Sequence, residues 1–214
     1  MEPIKLQKID ESLLLEHSCI EPADRCYFVG EYASGRGFNH SEMNQVVNNF
    51  KKPMDRKELP EWYYKEQAIL KIAYWIASTT SWDKLKIGTW VPMPPSKTKS
   101  DPHYDDRLWK VLLKMKEIED SLDIRELLLA KTSREAAHNV GAVRPRVQDH
   151  LKNFTLDELQ KNPKPRAIIL FDDIITSGAH FKAAQTIIQN EFSEVPIIGL
   201  FVARNVRTEI DTDL

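Results

Sequence analysis

The feature that most constrains this chain is the run Arg166-Ala167-Ile168-Ile169-Leu170-Phe171, which ends directly against two acids, Asp172 and Asp173. A continuous apolar run has no polar face to give to water. As a strand it must be covered on both sides, which is the habit of a parallel sheet between helices. After the acids come Ile174-Ile175-Thr176-Ser177-Gly178, and then a segment in which Phe181, Ala184, Ile187, Ile188 and Phe192 recur at helical spacing. A second apolar run follows, from Val195 to Ala203. Strand, acidic loop, helix and strand in that order predict one right-handed parallel crossover.

The rest of the chain extends this pattern. Cys26 to Tyr32 reads as a strand, broken by Gly35-Arg36-Gly37 before a polar, helix-like stretch that ends near Phe50. Lys51 to Pro60 reads as a loop. Between Glu61 and Ser78, the residues Ala68, Ile69, Ile72, Ala73, Trp75 and Ile76 mark a core helix. Gly88 to Met93 is a short strand stopped by Pro94-Pro95, and Leu108, Val111, Leu112, Met115 and Ile118 form the apolar stripe of the next helix. Glu126 to Ala130 reads as a further buried strand, and the polar segment Lys131 to Lys152 reads largely as loop. Thr155-Leu156-Asp157-Glu158 has capping-box spacing and predicts a short helix that ends before Pro163. The alternation predicts an α/β fold: three layers, with a mainly parallel, twisted sheet flanked by helices, in one structural domain.

Composition removes several function classes. Thirty Lys and Arg against thirty-two Asp and Glu leave a formal charge of −2, so no overall field draws the chain onto a polyanion, and direct nucleic-acid binding is not expected. Cys19 and Cys26 have neither the number nor the spacing of a disulfide framework or a zinc ribbon. The start Met1-Glu2-Pro3-Ile4-Lys5 lacks a signal-peptide core, and no apolar run approaches a membrane span. These features predict a soluble, cytoplasmic protein with no membrane partner.

The loop beyond the strand carries the chemistry. Small hydroxyl residues and a glycine ahead of a helix let the backbone curl into an anion-binding nest, which makes Thr176, Ser177 and Gly178 candidates for holding a phosphate. Asp172 and Asp173 would repel that phosphate. Adjacent carboxylates are suited instead to accepting hydrogen bonds from paired sugar hydroxyls and to orienting, indirectly, a Mg²⁺ ion.

The string from Ile168 to Ala179 resembles the signature with which type I phosphoribosyltransferases bind 5-phosphoribosyl-1-pyrophosphate (PRPP), in flavour closest to the ComF-like branch without its zinc ribbon. The resemblance implies that Asp172 and Asp173 hold the ribose hydroxyls as the catalytic pair. It also implies that Thr176, Ser177, Gly178 and Ala179 wrap the 5′-phosphate. His180 stands where many members carry a hydroxyl residue, so any contact it makes to the phosphate becomes pH-dependent. Pro95, Ser96 and Lys97, with Lys99 near them, are similar to the family's pyrophosphate loop. Arg134, His138 and Asn139 fall in a stretch that looks like its flexible loop. Residues 1–60 then correspond to an N-terminal segment and small hood, and residues 61–214 to the core.

The implied activity is Mg²⁺-dependent displacement of pyrophosphate at C1 of PRPP by a nitrogen acceptor that the sequence does not identify. A second reading, of another class, is a catalytically silent sensor of PRPP or a nucleotide that controls a protein or nucleic-acid partner, in DNA uptake or phage defence. Assembly as a homodimer is left open by the sequence.

Overall fold

The computed structural model describes residues 4–134 and 146–207. In chain order the elements are strands β1 (Gln7–Lys8) and β2 (Arg25–Ser34), then helices α1 (Glu42–Phe50), α2 (Trp62–Ala77) and α3 (Trp82–Leu85). Strand β3 (Thr89–Pro92), helix α4 (Arg107–Ile118) and strands β4 (Asp123–Ile124) and β5 (Leu128–Ala130) come next. Helix α5 (Val147–Asn153), strands β6 (Phe154–Leu156) and β7 (Ile168–Ile175), helix α6 (Ala179–Glu191) and strand β8 (Ile197–Arg207) complete the described chain.

Six strands form one sheet in the order β1-β2-β8-β7-β3-β4, in which only the β1–β2 pair is antiparallel. The fold is therefore α/β, with a mixed, mostly parallel sheet flanked by helices. Strand β7 lies inside it, between β8 and β3, and its residues Ile168, Ile169, Leu170 and Phe171 are at most 1% exposed. Each such side chain contributes roughly 1.5–3 kcal/mol of burial free energy. Helix α2 lays Ile69, Ile72 and Ile76 into the same core, and α4 adds Val111, Leu112 and Met115. Among the described residues no helix is long and apolar enough to cross a membrane.

Several boundaries differ from the sequence reading. Strand β7 does not stop at Phe171: the ladder to β8 continues through Asp172↔Phe201 and Ile174↔Ala203 to Ile175↔Arg204, so both acids stand in the strand and the loop begins at Thr176. The helix expected from Thr155 is absent, because Phe154–Leu156 pairs antiparallel with β5 in a separate two-stranded sheet; Asp157 instead caps a single 3₁₀ turn, Glu158–Gln160. The segment expected as a hood supplies β1 and β2 to the main sheet, where β2 runs in register with β8 from Arg25↔Ile198 to Ser34↔Arg207. The polar stretch read as loop contains α5, whose first turn is closed by a bond from the Arg146 amide to Asp149. Ile118 is 56% exposed at the end of α4, off the buried stripe.

Candidate functional site

A cleft of about 1000 Å³ opens at the carboxyl ends of β2, β8, β7 and β3, where open α/β sheets present their ligand sites. It is lined by Tyr32, Asn205, Asp172 to His180, and the Pro92 to Ser100 loop, with Asn48, Lys51 and Arg107 leaning in from the helical side.

Successive strand residues point to opposite faces, and the two acids accordingly have different partners. Asp172 sits 2.8 Å from Nδ1 of His180, in the first turn of α6, and accepts the Asp173 amide at 2.8 Å. Asp173 accepts from Nη2 of Arg107 at 2.6 Å and lies 3.4 Å from Nζ of Lys51, which follows α1. Burial works to raise the Asp173 carboxyl, but Lys51 and Arg107 outweigh it and hold the group well below the usual carboxylate range.

The Thr176 to Gly178 turn is clamped from outside by a segment near the N-terminus. The Thr176 carbonyl accepts from Nδ1 of the fully buried His17, and the Ser177 carbonyl accepts from the Cys19 amide at 2.8 Å. Ile20 fills the space beside Gly178, where an added Cβ would come within 2.5 Å of its Cδ1. Gly178 has φ of 85°, a left-handed conformation that glycine adopts without penalty, and it starts α6. The peptide bonds of the turn are trans. In a planar trans peptide the N–H points opposite to the preceding carbonyl. The amides of Ser177 and Gly178 are therefore turned away from His17 and Cys19, and both residues line the cleft. Segment 17–24 is itself fixed to α6, since Asp24 accepts from Lys182 at 2.9 Å and from Gln185 at 2.8 Å.

Other expected site residues are placed less directly. Lys97 stands 3.9 Å from Asp101, and Lys99 is bound to Glu126 at 2.5 Å, so this loop's cations have carboxylate neighbours. Ser96 gives its carbonyl to the Arg134 amide at 2.7 Å, which ties the expected pyrophosphate loop to the expected flexible loop. The Arg134 guanidinium turns to α5, reaching the Asp149 carbonyl at 3.2 Å and His150 Nδ1 at 3.3 Å. His150 packs against His180, ring centres 4.8 Å apart, and Phe154 completes the cluster. Burial first, then His180 and Arg134, push the His150 imidazole down to about 3. His180, expected near the phosphate, is engaged by Asp172 through Nδ1 and by the rings of His150 and Phe154, and it lines the cleft. His138 and Asn139 lie outside the described residues.

The sequence reading missed Lys65, Asp105 and Arg107, a charged array in which Lys65 is buried and the other two are partly buried. Nζ of Lys65 donates to Asp105 and to the Lys52 carbonyl, each at 2.7 Å, and Asp105 also accepts from Arg107 at 2.5 Å. Burial pulls Lys65 down to about 8 against the opposing pull of Asp105. A signal was present: Lys65 falls on the same helical stripe as Ile69, Ile72 and Ile76, and a cation in an apolar stripe needs a buried partner.

The array can bind a polyhydroxylated anion, with amides at a helix start for a phosphate, carboxylates for hydroxyls, and Lys51 and Arg107 for a second negative group. Among the described residues no group of three or more His, Cys, Asp and Glu could by itself hold a metal ion. Compared with known proteins, the chain matches no protein-family model and no curated protein.

Proposed function

We propose that the cleft binds PRPP with Mg²⁺ and that the chain is a phosphoribosyltransferase built on the three-layer type I arrangement. The observation that carries this reading is the meeting, at one strand end, of the clamped Thr176 to Gly178 turn at the start of α6 with the carboxylates of Asp172 and Asp173, all lining one cleft. The amides of Ser177 and Gly178, with the Thr176 and Ser177 hydroxyls, take the 5′-phosphate, and the helix start favours its charge. The two carboxylates take the ribose hydroxyls. Mg²⁺ would be held chiefly by the substrate's own pyrophosphate, with Asp172 and Asp173 orienting it indirectly. It would neutralise charge on the departing group.

In this reading the work of the protein is positional and electrostatic. An acceptor nitrogen forms its bond to C1 as the C1–O bond to pyrophosphate breaks, and the bonding pair leaves with the pyrophosphate. Lys51 and Arg107 are the cations nearest the sugar acids and stabilise that charge as it builds. Pro95, Ser96 and Lys97 frame the far side of the same space.

One observation favours the binding-only alternative: Asp173 is already paired with two cations, which a sugar must share or displace. Calorimetric titration of PRPP, with and without Mg²⁺, into the wild type and an Asp172→Asn/Asp173→Asn variant tests the ligand. Micromolar binding that the variant loses is expected, and absence of heat with the wild type overturns the proposal. Pyrophosphate release with candidate acceptors then separates enzyme from sensor.

A further inference from the structure

The end of the cleft beside β2 is chemically unlike the end that the proposed function uses. The phosphate turn, the two acids and the cations Lys51 and Arg107 are polar by charge. Tyr32 and Asn205, which are register partners on β2 and β8, and Asn48 of α1 are polar without charge.

Asn205 is the informative one. It is 7% exposed and lines the cleft, and among the described residues its side-chain carboxamide makes no hydrogen bond. Its amide atoms are nevertheless not sealed from solvent, so the little surface it keeps opens into the cleft. Nearly buried amides are normally satisfied, and one that is not calls for an occupant. A carboxamide offers one acceptor and two donors in a plane, and its complement is another neutral amide edge with a carbonyl beside an N–H. Asn48 spends its own Nδ2 on the Asn44 carbonyl at 2.7 Å, which leaves its oxygen as an acceptor on the same wall. A carboxylate ligand would set its charge against the oxygens of Asn205 and Asn48, and a simple amine would leave the Asn205 donors unused.

We propose that Asn205 is a specificity-determining residue that reads the neutral amide edge, lactam or carboxamide, of a second ligand bound beside the sugar phosphate. This rests on the proposed PRPP site for its neighbour but not for its chemistry. A site built to pair a polar edge rejects an analogue lacking it far more strongly than a greasy pocket rejects a missing methylene.

The test uses the full chain as wild type, Asn205→Asp and Asn205→Leu, with thermal unfolding to establish that the variants fold. Nicotinamide and uracil serve as neutral amide probes, nicotinate as the charged isostere of the first, and aniline as the amine. Each is titrated in the presence of Mg²⁺ and PRPP, and again without PRPP. The expected result is binding of at least one amide probe, at least about 10-fold tighter than nicotinate and aniline, and a loss of about 10-fold or more in folded Asn205→Asp. Equal affinity for all probes overturns the inference. So do unchanged probe affinity in both variants, and a wild type that binds PRPP but neither amide probe. If PRPP itself gives no heat while the amide probe binds through Asn205, the proposed function falls and this inference stands.

Discussion

At the scale of single residues, Arg107 decides whether the acid pair exists in a usable form. It bonds Asp105 at 2.5 Å and Asp173 at 2.6 Å, and its removal leaves each carboxylate with one cation, Lys65 for Asp105 and Lys51 for Asp173. A hydrogen bond to a charged group contributes about 1.5–3 kcal/mol, so Arg107→Leu is expected to lose about that much by chemical denaturation. The pH dependence has a definite sign. Asp173 is held below its ordinary 3.8, so its stabilising contribution is present above that value and disappears as the pH falls further. Without Arg107 only Lys51 and the Ile174 amide support the depressed value, and the acid limb of the stability profile should move upward in pH. The Arg107 partnerships were hidden in the sequence because an Arg on a helix is ordinarily on a solvated face. The strand acids themselves were legible, since two carboxylates directly after an apolar run have few alternatives to a ligand or a buried cation.

At the scale of elements, the turn before α6 owes its shape to a segment about 160 positions away, which no local pattern in the sequence announces. Gly178→Ala should cost about 1–3 kcal/mol, because it forces a side chain into the left-handed region and into Ile20. In a double-mutant cycle, Ile20→Ala should recover part of that loss; additive losses would mean that Ile20 does not shape the turn. His17→Ala should weaken PRPP binding by about 10-fold or more, with His17→Gln, which keeps a donor, recovering part of it in the same titration. Helix α5 offers a different handle. His150 is neutral down to about 3 when folded but takes a proton near 6.5 when unfolded, so the unfolded chain binds more protons in that window. Stability should therefore fall on acidification from about 6.5 toward 3, and a His150→Gln variant should flatten that part of a denaturation profile. The sequence misread this region for a physical reason: Thr155 carries capping-box spacing, yet Phe154–Leu156 gains more by pairing with β5 than by starting a helix.

At the scale of the whole molecule, the sheet gathers at one rim residues drawn from nearly the full length of the chain, from His17 to Asn205. Ligand binding there should stabilise the entire fold. With PRPP and Mg²⁺ at about 100 times the dissociation constant, the gain is about 2.7 kcal/mol, read as a rise in the thermal midpoint that shrinks when a chelator is added. The crossover and most strands were legible because their apolar periodicity is strong; the strand order was not, because pairing partners far apart in sequence leave no mark on either. That order has a consequence for how the chain is made. Strand β8, the last described strand to leave the ribosome, is inserted between β2 and β7. Until it emerges, the first long strand has no parallel neighbour and the acid-bearing strand has one bare flank. Nascent chains released just short of β8 should therefore stay sticky and protease-sensitive, with the binding rim assembled in a single late step.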